Sequence, residues 1–112
     1  MIIDSVIKEA SATAAQYGLE LIEIDRTDNI ISLKLVIDND LFIQIYGNSP
    51  KNKLNLALVF KSKRLYGYDS EGGTPHLHPF DNPDDHLFVD KPISIQEFVS
   101  DSFRFLEESE IL

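Results

Sequence analysis

Ile31-Ser32-Leu33-Lys34-Leu35-Val36-Ile37-Asp38-Asn39-Asp40-Leu41-Phe42-Ile43-Gln44-Ile45-Tyr46 decides the fold. Apolar residues recur at every second position on both sides of Asp38-Asn39-Asp40, the period of strands with one face buried and one face open. The three polar residues between the runs tolerate turn conformations, so the two runs read as neighbouring antiparallel strands.

The same alternation extends outward. Downstream, Gly47-Asn48-Ser49-Pro50 supplies a turn, and Leu54, Leu56, Leu58 and Phe60 then repeat the core face. A shorter fifth strand is expected from Arg64 to Tyr68, where Gly67 marks a bulge or a close backbone approach. Upstream, Asp28-Asn29 joins the central strands to a run containing Leu19, Leu21, Ile22 and Ile24.

The period changes to that of a helix at both ends of the chain. Val6, Ile7, Ala10, Ala14 and Tyr17 share one face over residues 2 to 17, and Gly18 follows as a C-terminal cap. Ser94-Ile95-Gln96-Glu97 reads as a capping box opening a second amphipathic helix over roughly 95 to 109. The expected architecture is therefore α+β: a five-stranded, mostly antiparallel sheet with both terminal helices on one face, in the order α-β-β-β-β-β-α.

A chain of 112 residues fits a single domain with one core. It contains no cysteine, which leaves no place for disulfides, thiolate metal sites or thiol nucleophiles. No apolar run reaches membrane-spanning length and the first residues lack the pattern of a signal peptide, so the chain reads as cytoplasmic, with no membrane contact. The net charge of −9 is uneven. Residues 1 to 65 balance eight acidic against eight basic side chains, whereas residues 66 to 112 hold eleven acidic and two basic ones. That sign opposes non-specific binding to nucleic acid over the whole surface and favours a basic partner. The basic residues Lys51, Lys53, Lys61, Lys63 and Arg64 nevertheless cluster just before the most unusual segment.

That segment, residues 69 to 92, concentrates Gly72-Gly73, Pro75, Pro79, Pro83 and Pro92 and reads as one long loop anchored by Leu77, Phe80, Leu87, Phe88 and Val89. All three histidines of the chain lie in it, at His76, His78 and His86. In extended backbone His76 and His78 project to the same side, and Asp81-Asn82-Pro83 is a turn able to bring His86 back towards them. Three kinds of chemistry suit this pattern. The histidines could work as general acid and base on a phosphodiester, with His76 and His78 as the pair, His86 as auxiliary and Lys63 or Arg64 holding the phosphate, because imidazole populates both protonation states near neutral pH. They could bind a divalent cation together with Asp81, Asp84 or Asp85. Or they could satisfy carbonyls in a proline-rich loop that lacks its own ladder. Tyr46, Tyr66 and Tyr68, read as outward-facing, would offer a stacking surface beside the basic residues, with Tyr66 and Asp81 among the substrate contacts.

The N-terminal helix, the antiparallel meander, the stretch His76-Leu77-His78-Pro79-Phe80-Asp81-Asn82-Pro83 with His86, and the closing acidic helix together resemble TumE-type toxins of prokaryotic toxin–antitoxin pairs. The resemblance spans most of the chain and its specific part is this short segment. It implies a toxin component held inactive in a complex with a cognate antitoxin; RNA as the target comes from the histidines. The alternative is a non-enzymatic binding module whose acidic C-terminal half docks on a basic protein. An exposed edge strand would suit a homodimer. Replacing His76 or His78 by alanine is expected to remove activity while leaving the melting temperature nearly unchanged.

Overall fold

The computed structural model describes residues 1–72, 74–80 and 91–112, together with the backbone of 87–88. Helix α1 (Ile3–Tyr17) leads into strands β1 (Glu20–Arg26), β2 (Ile30–Asp38), β3 (Leu41–Asn48), β4 (Lys53–Phe60), β5 (Lys63–Glu71) and β6 (Thr74–His78). A two-residue segment, β7 (Leu87–Phe88), and helix α2 (Ile95–Glu108) complete the order. Every strand pairs antiparallel with its sequence neighbour, so the sheet is an uninterrupted meander.

The alternation of the sequence becomes two faces. Leu33 pairs with Ile45, Ile45 with Leu56 and Leu56 with Tyr68, which places one row of side chains on the same side across four strands. Both helices cover that side. Val6, Ala10 and Ala14 of α1 and Ile95, Phe98, Val99 and Leu106 of α2 join the strand residues in a single core. Helix α2 starts where its sequence signal lies: Ser94 Oγ accepts from the Glu97 amide and Glu97 Oε1 accepts from the Ser94 amide. Tyr17 stacks on Phe103 with centroids 5.2 Å apart, and the Ile95 amide donates to Glu9 Oε1 at 2.7 Å, which ties the helices together.

Two features depart from the sequence reading. First, the sheet has six strands of five residues or more among the described residues, not five, because β6 and the end of β5 occupy the start of the expected loop at 69–92. Glu71 pairs with Thr74 across the β5–β6 junction, and Gly72, next to Glu71, takes φ +61, a left-handed conformation that glycine adopts readily. Pro75 sits immediately after this junction, near the strand start, where a missing N–H is tolerated. Second, Tyr66 and Tyr68 point into the core and are not an outer stacking surface. Leu58 pairs with Tyr66 but Val59 pairs with Arg64, so Leu65 is an extra residue in β5. An alternation counted through Leu65 turns Tyr66 outward; the bulge reverses that phase.

Candidate functional site

The bulge also decides what reaches the opposite side of the sheet. It sets Arg64 in phase with Gly67 and Asp69 on the helix-free face, and the β5–β6 register adds His76 opposite Asp69 and His78 opposite Gly67. Both histidines therefore share one side, as extended backbone requires, but their surroundings differ. His76 is half-buried, whereas His78 is 1% exposed.

His78 lies across Gly67. A Cβ at that glycine would meet Arg64 Cδ at 3.1 Å and the His78 Cβ and Cδ2 atoms at 3.4 Å, so the bare backbone leaves the room that the Arg64 and His78 side chains take up. Its Nε2 is 2.7 Å from Asp69 Oδ2 and its Nδ1 is 3.3 Å from an Arg64 guanidinium nitrogen. Guanidinium only donates, so Nδ1 must accept. In the neutral ring the proton then sits on Nε2 and is donated to Asp69. The result is a carboxylate–imidazole–guanidinium chain along β5, with the carboxylate and the guanidinium at the surface and the ring beneath them.

This geometry alters the expected equivalence of His76 and His78. His78 is buried with both ring nitrogens engaged, whereas His76 is half-buried, and replacing His78 would remove a partner from Asp69 and from Arg64. His76 lines a cleft of about 420 Å³ with Asp69, Glu71 and Thr74. A second cleft, of about 260 Å³, opens in the middle of the same face between Gln44, Tyr46, Asn55, Arg64 and Asp69.

The remaining sequence-selected residues fall elsewhere. Lys63 is exposed at the start of β5, where it pairs with Phe60. Tyr66 is stacked on Phe98 at 4.8 Å and meets Phe105 edge-on at 5.0 Å under α2, so it cannot serve as a substrate contact. Burial, followed by the neighbouring Asp101 carboxylate, pushes the Tyr66 hydroxyl up to about 12, with Arg104 acting in the opposite direction. His86, Asp81, Asp84 and Asp85 lie outside the described residues. Among the described residues no group of three or more histidines and carboxylates is arranged to hold a metal ion.

Sequence reasoning passed over Gln44, Asn55 and Asp69. The signal was present: each is out of phase with the core residues of its strand, Gln44 between Ile43 and Ile45 and Asn55 between Leu54 and Leu56. It takes the cross-strand register to collect them into one place. Among the described residues no helix is long and apolar enough to cross a membrane. No family model matches the chain, and comparisons with characterised proteins and with solved structures return no match.

Proposed function

We propose that this chain is a small toxin-like protein that acts on RNA, with the helix-free face of its sheet as the working surface. The observation that carries this reading is the meeting of Arg64, Asp69, His76 and His78 on adjacent strands of one face, with His78 bridging Asp69 and Arg64. An exposed guanidinium braced from behind is suited to a phosphate, since its planar donors match phosphate oxygens. A less buried imidazole on the neighbouring strand, that of His76, supplies a candidate general base.

In this reading the RNA backbone lies over β5 and β6. His76 takes the proton of a ribose 2′-hydroxyl as that oxygen attacks phosphorus, and Arg64 stabilises the charge gathering on the non-bridging oxygens. The bond to the 5′ oxygen breaks and that oxygen takes its proton from solvent, leaving a cyclic phosphate. His78 and Asp69 hold Arg64 in place and touch no reacting atom. A cognate antitoxin covering the face would silence it.

The test is induction of the wild type, His76→Ala and Arg64→Ala in a naive bacterial host, with total RNA examined after growth stops. Growth arrest with RNA breakdown in the wild type alone is the expected result. Equal arrest by the wild type and His76→Ala, with RNA intact, would replace this reading with that of a binding module whose acidic half docks on a basic protein.

A further inference from the structure

Strand β1 is outermost on its side of the sheet: β2 pairs with one of its edges, and among the described residues no strand pairs with the other. An edge strand directs alternate N–H and C=O groups outward, which makes it a template for one more strand. This edge is unusual in two ways. Among the described residues four large apolar side chains are exposed; Ile2 precedes α1, Leu112 follows α2, and the other two, Ile22 at 40% and Ile24 at 54%, both belong to β1. No other described strand or helix exposes such a side chain. The charges beside the two isoleucines are also nearly all of one sign. Glu20, Glu23 and Asp25 are exposed, and the single cation of the strand, Arg26, is held by Asp4 at 3.1 Å and lies 3.8 Å from Glu23.

We infer that the free edge of β1 is a docking site for an extended, basic segment of a partner protein, which adds to the sheet as a further strand. In this mode of recognition backbone hydrogen bonds supply the ladder and the side chains supply the selectivity. Lysine or arginine set against Glu20, Glu23 and Asp25, with aliphatic residues against Ile22 and Ile24, answers both peculiarities of the strand, because opposite charges and apolar pairs attract across a ladder. Charge also decides against a second copy as the occupant. A copy of β1 brings the same three carboxylates, with its one guanidinium already engaged, and like charges repel across a ladder. The carboxylates and the bulge between Glu23 and Asp25 thus guard the edge against self-association, as charges and bulges on edge strands do. A guard alone gives no reason for two exposed isoleucines. The regular ladder runs from Glu20 to Glu23, ahead of the bulge, so the docked segment is short. Strand β5 lies four strands away, roughly 19 Å at ordinary spacing. An occupant of this edge therefore leaves Arg64 and His76 uncovered, and the inference stands apart from the RNA-directed reading.

The test is an NMR titration of the full chain with the capped peptide Lys-Val-Lys-Val-Val-Lys. It reads β1 backwards from Asp25 to Glu20, with lysine against each carboxylate and valine against each apolar residue. The control peptide carries glutamate in place of lysine. The lysine peptide should shift the backbone amides of residues 20 to 25 and slow their exchange with solvent, and the glutamate peptide should do neither. Added salt should weaken the binding, because the charges are exposed. Glu23→Lys combined with Asp25→Lys, at two exposed positions, should weaken the lysine peptide about tenfold and admit the glutamate peptide, since two cross-strand pairs change sign. Shifts centred outside β1, equal binding of the two peptides, or no binding of either at millimolar concentration would overturn the docking site. Self-association of the chain alone, abolished by Ile22→Lys, would assign the edge to a second copy and overturn it equally.

Discussion

The two faces of the sheet are built from the same strands and obey different rules. On the helix-covered face, Leu33, Ile45, Leu56 and Tyr68 form a row that is at most 1% exposed, and α1 and α2 complete its burial. On the open face, Ser32, Tyr46, Asn55, Asp69 and His76 form the parallel row, and none of them is fully buried. The covered face is stabilised by removing apolar area from water, which needs shape and little direction. A polar group sinks into the open face only when another polar group meets it: His78 is buried because Asp69 and Arg64 engage its two nitrogens. One face is therefore tolerant of side-chain identity and sensitive to volume, while the other is sensitive to identity.

This contrast can be broken most readily at Phe98, which is fully buried between α2 and Tyr66. Phe98→Ala should cost about 3–5 kcal/mol in denaturant unfolding, through lost burial and the cavity left behind. A cost below about 1 kcal/mol would mean that α2 is not part of the core. The next largest effect is at high pH. The Tyr66 hydroxyl is held up to about 12 when folded, against about 10 in an unfolded chain, so the stability it contributes is complete below pH 10 and is lost as pH rises towards 12. The difference in unfolding free energy between the wild type and Tyr66→Phe should change by roughly 2–3 kcal/mol across that window. A constant difference would place the hydroxyl in water.

Smaller effects separate the two histidines. His78→Ala should cost about 1–2 kcal/mol, since it leaves Asp69 and Arg64 without the ring that joins them, both being partly solvated. His76→Ala should stay within about 0.5 kcal/mol of the wild type, as expected for a half-exposed side chain away from the core, while abolishing RNA breakdown. Paired thermal melts of the two variants test this directly. Equal destabilisation would make both imidazoles structural.

Much of the fold was legible because packing repeats. The alternations in Ile31–Ile37, Leu41–Tyr46 and Leu54–Phe60 each carry enough in-phase apolar residues to specify a face, and the capping box at Ser94 and Glu97 marks its helix with two reciprocal hydrogen bonds. The sixth strand is obscured because Pro75 and Pro79 punctuate the segment as they would a loop, although Gly72-Gly73 is a hairpin signal and Pro75 and Leu77 alternate with His76 and His78. Tyr66 was misplaced by one extra residue at Leu65, which leaves no mark in composition and inverts the face of every later residue in the strand.

By itself, then, the sequence determined the α+β class, the central strands, both helices, and the fact that His76 and His78 project to a common side. Those properties depend on spacing within one segment, which local backbone geometry enforces. Only the tertiary structure decided that His78 is enclosed and His76 is not, that Tyr66 belongs to the core, and that Gln44, Tyr46, Asn55 and Arg64 border one cleft. These depend on register between strands that are distant in sequence, and a single bulged residue is enough to exchange what is buried for what is offered to solvent.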